Sequence, residues 1–267
     1  MGIYSEYLDK LRTFDAIAAE RKQQLQRISK LRGDIPILVI ASDVQKGRAP
    51  ISIDYSDILP IRDQLDNLKG SQLDVILETP GGTGEVAEDI VKLMRARFDH
   101  IVFIIPGMAK SAGTIMVMGG DEIFMDDASS LGPIDAQMST HGKTFSADAF
   151  LEGLEKIKEE VAQTGSLNKA YIPILQGISP GEIESCRNAQ NFSQTLVTDW
   201  LEHNKFRSWN KHSVTGAPVT ADEKRERAKD IAGQLCDHGR WLTHGRSIKL
   251  SDLRAMNQNQ GRVSTNN

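Results

Sequence analysis

The chain has 267 residues, 39% of them apolar, a formal net charge of −4 and two cysteines. That is enough apolar residue for one sizeable core, and it excludes disordered, fibrous and disulfide-stapled chains; with both charge signs interspersed there is no electrostatic case for nucleic acid. No apolar run approaches the ~18–20 residues of a membrane span, the start lacks a basic and apolar leader, and Cys186 and Cys236 have no CxxC partner, so the expected compartment is cytoplasmic, with no metal, no cofactor and no membrane span.

In chain order, the first ~30 residues carry apolar positions at Leu8, Leu11, Phe14, Ile17, Leu25, Ile28 and Leu31, the spacing of a helix whose stripe must be covered by this subunit or another. Residues 1–33 therefore read as an N-terminal helical arm. Asp34-Ile-Pro-Ile-Leu-Val-Ile-Ala41 reads as the first core strand, apolar on both faces as in a sheet covered by helices. Residues 45–52 read as a loop, and residues 57–68 as a crossover helix with Pro60 in its opening turn. Strand 73–77, helix 84–97, strand 101–105, helix 111–118 and strand 122–125 then alternate regularly, which predicts an α/β chain with a largely parallel sheet. After residue 135 the character changes. Residues 146–163, 180–206 and 220–235 read as helices, the last two opened by Ser179 with Glu182 and by Thr220 with Glu223, and residues 172–178 read as irregular. Residues 207–218, with Trp209, Asn210, His212, Gly216 and Pro218, read as a solvated connector.

Two turns concentrate the chemistry. Leu77-Glu-Thr-Pro-Gly-Gly-Thr83 and Gly107-Met-Ala-Lys-Ser-Ala-Gly-Thr114 each follow an apolar run and precede a helix-like run, which puts both at the carboxyl ends of parallel strands facing one crevice. Acyl transfer needs backbone N–H donors fixed where charge develops on a carbonyl oxygen, and glycine lets the backbone come that close. Ser111 opens an apolar helix-like run, where the positive end of the helix favours a developing alkoxide. Either turn alone reads equally well as a plain helix start; the pair is what points to a nucleophile.

Thr79-Pro-Gly-Gly-Thr-Gly84, Lys110-Ser-Ala-Gly-Thr114, Asp121-Glu-Ile-Phe-Met-Asp126 and Leu131-Gly-Pro-Ile-Asp135 together resemble the Clp protease/crotonase superfamily. Within it they resemble the serine dehydrogenase proteinase branch, related to signal peptide peptidase A. The likeness runs from about residue 36 to 134, and Gly239-Arg-Trp-Leu-Thr-His-Gly-Arg-Ser-Ile248 resembles that branch's closing segment. It implies a repeated ββα core over residues 34–145, a helical extension over residues 146–267 that returns to the active site near 239–248, and a homo-oligomer acting on protein or peptide substrates. It also implies an oxyanion hole from the amides of Gly82 and Ala112.

The residue that takes the proton of Ser111 is not given by the resemblance. Clp-type peptidases carry a histidine where this chain has Gly132-Pro-Ile-Asp-Ala-Gln137. Relatives of signal peptide peptidase A use a lysine, which needs a lowered pKa; Lys156 and Lys158 sit among glutamates, leaving Lys143 and Lys205 as alternative bases. His244 lies where Clp-type peptidases carry their aspartate, so a triad of Ser111, His244 and Asp135 would exchange the chain positions of base and orienter while keeping the roles. His238, beside Asp237, is a lesser variant, and Lys110 reads as a substrate or solvent contact. The reading is a serine endopeptidase working through an acyl-enzyme on Ser111. The rivals are a catalytically silent assembly module and a crotonase-like acyl-CoA enzyme, the latter disfavoured because no glutamate is obviously placed beside the two loops.

Overall fold

The computed structural model describes residues 5–7, 13–43, 51–140, 142–213 and 215–257. Leu8, Leu11 and residues 45–50 of the expected loop lie outside them. Four strands, β1 (Ile37–Ala41), β2 (Gln72–Glu78), β3 (His100–Ile105) and, after a short β4 (Met108–Ala109), β5 (Glu122–Met125), form a sheet in the order β1-β2-β3-β5 with every pair parallel. The crossovers carry helices Ile58–Asp66, Gly84–Arg95 and Ala112–Met118.

One face of the middle strands is packed under helix Gly84–Arg95: Leu73, Val75 and Leu77 of β2 and Ile101 and Phe103 of β3 are fully buried with Val86, Ile90 and Met94, whereas on the other face Ile76 and Ile104 are only half-buried. The expectation of two covered faces fails for β1. It is an edge strand in which only Leu38 is buried and Val39 stays exposed, since strand order leaves it one neighbour. The arm behaves alike: helix Phe14–Leu31 has no buried residue, and its ends Phe14 and Leu31 are 82% and 87% exposed. It is tied to the sheet through Arg32, whose Nε donates to buried Asp74 at 2.8 Å.

A second, smaller layer builds the site. β4 pairs in parallel with β6 (Ser130–Leu131), Thr79 bridges Ala109, Ile53 bridges Gly82, and Leu131 bridges Ile248. Segments from five parts of the chain thus meet at the carboxyl ends of the main strands.

Beyond Asp135 the chain makes a hairpin unforeseen from the sequence, β7 (Gln137–Thr140) with β8 (Lys143–Ser146). Helices Ala147–Thr164, Pro180–Trp200 and Ala221–Cys236 follow, each N-capped by the side chain of Ser146, Ser179 or Thr220, the last two in full capping boxes. Residues 172–176, expected to be irregular, form a short helix with a proline in its first turn. The expected helix over 180–206 is α-helical to Trp200 and finishes as a π-turn, Leu201–Lys205.

Candidate active site

The two glycine-bearing turns are stitched side by side. The Thr79 amide donates to Met108 O at 2.8 Å and the Lys110 amide to Thr79 O at 3.0 Å, extending the parallel pairing past the strand ends. Gly81 and Gly82 have φ of +109° and +151°. A Cβ on Gly81 would fall 2.8 Å from Ser111 Cβ, and one on Gly82 would fall 2.2 Å from Ile53 O, so neither position admits a side chain. The Gly turn therefore lies directly against Ser111. Among the described residues, neither the Gly82 nor the Ala112 amide donates an intramolecular hydrogen bond.

Ser111 is held in a sparsely populated conformation, φ +48° and ψ −116°, at the start of helix Ala112–Met118. A non-glycine residue there costs about 1–3 kcal/mol, which the surrounding packing must offset. All seven helix residues are buried, whereas Ser111 is partly exposed, so the turn lifts this one side chain out of the core. The helix is pinned to the next segment by Thr114, whose hydroxyl lies 2.7 Å from Ala109 O and accepts the Gly132 amide at 2.9 Å.

That segment carries Asp135, 3% exposed. Its carboxylate accepts from His244 Nδ1 at 2.7 Å, from His238 Nδ1 at 3.2 Å and from Gln137 Nε2 at 2.8 Å. Burial pushes the Asp135 pKa up, but the hydrogen bond and charge of His244, then His238 and Ser146, outweigh it and hold the group below the ordinary carboxylate range. The two histidines flank a left-handed Leu242, φ +66°, which ends the short helix His238–Trp241 and turns the chain back toward Asp135. With Nδ1 donating to Asp135, His244 Nε2 is left with a lone pair.

Lys110 is a strut, not the free contact expected. Its Nζ donates to Leu131 O at 3.0 Å, Arg246 O at 3.1 Å and Ser247 Oγ at 3.0 Å, locking the residue beside Ser111 to the turn that carries His244. Neither alternative base joins this group. Lys143 is exposed on the β7–β8 hairpin. Lys205 lies near Asp121, Glu122 and Arg95, at the amino ends of β3 and β5, whereas Ser111 follows the carboxyl end of β3. A glutamate does stand beside the loops: Glu78 accepts the Met108 amide at 3.0 Å.

Residues 14–266 match the family described as ClpP-like SDH-type serine proteinase. The chain belongs to that family. Two proteins of Methanocaldococcus jannaschii, the uncharacterized proteins MJ0137 and MJ1495, are 28% and 25% identical over 61% and 64% of this chain. The matched part spans only 54% and 58% of those relatives' lengths. Among solved structures, ClpP1 from Listeria monocytogenes is similar with a TM-score of 0.42 at 8% identity, over 86% of this chain and 90% of that one. The 1510-N membrane-bound stomatin-specific protease, as a serine-to-alanine mutant, is similar with a TM-score of 0.34 at 18% identity, over 49% of this chain and 64% of that one.

For a member of this proteinase family, two contacts of the site were not foreseen as such. His238, singled out in the sequence as a lesser variant beside Asp237, shares the Asp135 carboxylate with His244. Gln137 steadies the same carboxylate from the first residue of β7, and a lone glutamine in a polar stretch gives no such signal. No described helix is long and apolar enough to cross a membrane.

Proposed function

We propose that the chain hydrolyses peptide bonds through an acyl-enzyme on Ser111. His244 Nε2 takes the hydroxyl proton as Oγ attacks the substrate carbonyl, and the amides of Gly82 and Ala112 donate to the oxyanion. The imidazolium passes its proton to the leaving amine, and a water activated in the same way releases the acyl group and restores the hydroxyl. Asp135 orients the imidazole and steadies its charge. The observation that carries the reading is the buried Asp135 carboxylate bound to His244 at 2.7 Å, on a segment tied by Thr114 to the Ser111 helix.

The substrate class is soluble protein or peptide, and the compartment cytoplasmic, consistent with two buried, unpaired thiols. A homo-oligomer is supported by the uncovered apolar residues Phe14, Leu31 and Val39 on the arm and edge strand. Glu78 supplies the glutamate that the crotonase-like rival lacked in the sequence reading, but that chemistry needs no residue such as Ser111 held in a sparsely populated conformation at the start of a helix. Incubation with unfolded casein tests the proposal: the wild type releases peptides and Ser111→Ala does not. Equal release by both, or none by either, overturns it.

A further inference from the structure

A cavity of about 530 Å³ runs along the edge strand β5, with neither Ser111 nor His244 in its lining. Its walls come from β5, the π-turn Leu201–Lys205, the loop after it and the last helix, Leu250–Asn257. Much of the lining is apolar: Met118, Ile123, Met125, Trp209, Leu253 and Met256. Trp209 stands edge-on between Phe206 and His212, so the loop expected to be a solvated connector, exposed at most of its described residues, lends its first part to the wall of this cavity.

Two cationic side chains in that lining hold nitrogens with no solvent and no partner among the described residues, Lys205 Nζ and Arg227 Nε. Such orphaned donors are unfavourable in an empty site, and a π-turn is a local distortion that often accompanies a functional position. The carboxylates nearby are already engaged. Asp121 is bound by Arg95 at 2.7 Å and Arg207 at 3.1 Å, Glu122 by His100 at 3.1 Å, and Asp230 by Arg227 itself at 2.6 Å. The lining cations Lys205, Arg207, Lys211 and Arg227 outnumber its carboxylates, Asp121 and Glu122. Burial drives the Lys205 amine down to about 7, opposed by Asp121 and reinforced by Arg95, so an incoming anion would restore its charge.

We infer that this cavity binds an amphipathic monocarboxylate, its carboxylate taken by Lys205 and Arg227 and its apolar body by Met118, Ile123, Trp209 and Leu253. The site is separate from Ser111. Calorimetric titration of the full chain with octanoate, and with 1-octanol as the uncharged counterpart, tests it. One saturable octanoate site is expected, with octanol bound at least about tenfold more weakly. Lys205→Met, which replaces the ammonium by an apolar group of similar length, should weaken octanoate by about tenfold or more and leave octanol unchanged. Octanoate and octanol binding alike to the wild type, no octanoate binding at millimolar concentration, or wild-type octanoate affinity in Lys205→Met would each overturn the inference. The comparison of the two probes on the wild type does not depend on how the variant folds.

Discussion

His244 Nδ1 lies 2.7 Å from Asp135 Oδ1, across 109 residues of chain, and His238 Nδ1 lies 3.2 Å from the other oxygen of the same carboxylate. One buried anion therefore orients two imidazoles. They differ in what lies beyond: the His244 turn is bolted by Lys110 to the segment that bears Ser111, whereas His238 lies beside Asp148 on helix Ala147–Thr164.

The two histidines should accordingly separate on mutation. His244→Ala is expected to lower peptide hydrolysis by about 10⁶-fold, the loss typical of removing the base of a triad, while His238→Ala costs no more than about tenfold. Steady-state kcat/KM for both variants checks this, and equal losses would point to the wrong base.

Asp135→Asn should keep the fold and lose about 10⁴-fold in kcat, because an amide no longer fixes the tautomer that leaves Nε2 free. The same group governs acid stability. Its pKa is lowered in the folded chain, so its contribution is present above the ordinary carboxylate value and disappears as pH falls through the depressed one. Urea midpoints between pH 6 and pH 3 should fall less steeply for Asp135→Asn than for the wild type.

Gly81→Ala would drive a methyl to 2.8 Å from Ser111 Cβ and Lys110 O at a φ of +109°. A loss of at least about 10²-fold in activity is expected from the displaced nucleophile. Gly70→Ala, at φ +116° with open space around it, carries the backbone strain alone and is the control: it should lose stability by about 1–3 kcal/mol and keep activity.

The folded chain holds the Lys205 amine near 7 against an ordinary value of 10.5. Between those values the unfolded chain binds the extra proton, so stability should rise with pH from 7 toward 10, by at most about 1.4 kcal/mol per unit. Chemical denaturation at pH 7 and pH 9 should show this rise in the wild type, and Lys205→Met should remove it.

How much of this could be read from the chain varies with the physical signal. Apolar runs such as residues 73–77 and 101–105, with glycine turns behind them, made the parallel sheet and the joined loops legible. Which strand lies at an edge is a matter of order, not composition, and Ile37–Ala41 reads the same either way. The hairpin after Asp135 alternates polar residues with little apolar contrast, so Gln137–Thr140 gave no strand signal. Asp135 and His244 were reached through the likeness to a family, since no periodicity pairs positions so far apart. Lys205 was a plausible base only while the end of the sheet it occupies was unknown, and Lys110 acts through three acceptors from distant segments.

The most direct test of the account is labelling of the full chain with a fluorophosphonate, with the adduct mapped by mass spectrometry. One adduct on Ser111 in the wild type, absent from Ser111→Ala and formed far more slowly in His244→Ala, is the predicted result. An unmodified wild type, or equal modification of the wild type and Ser111→Ala, would contradict it.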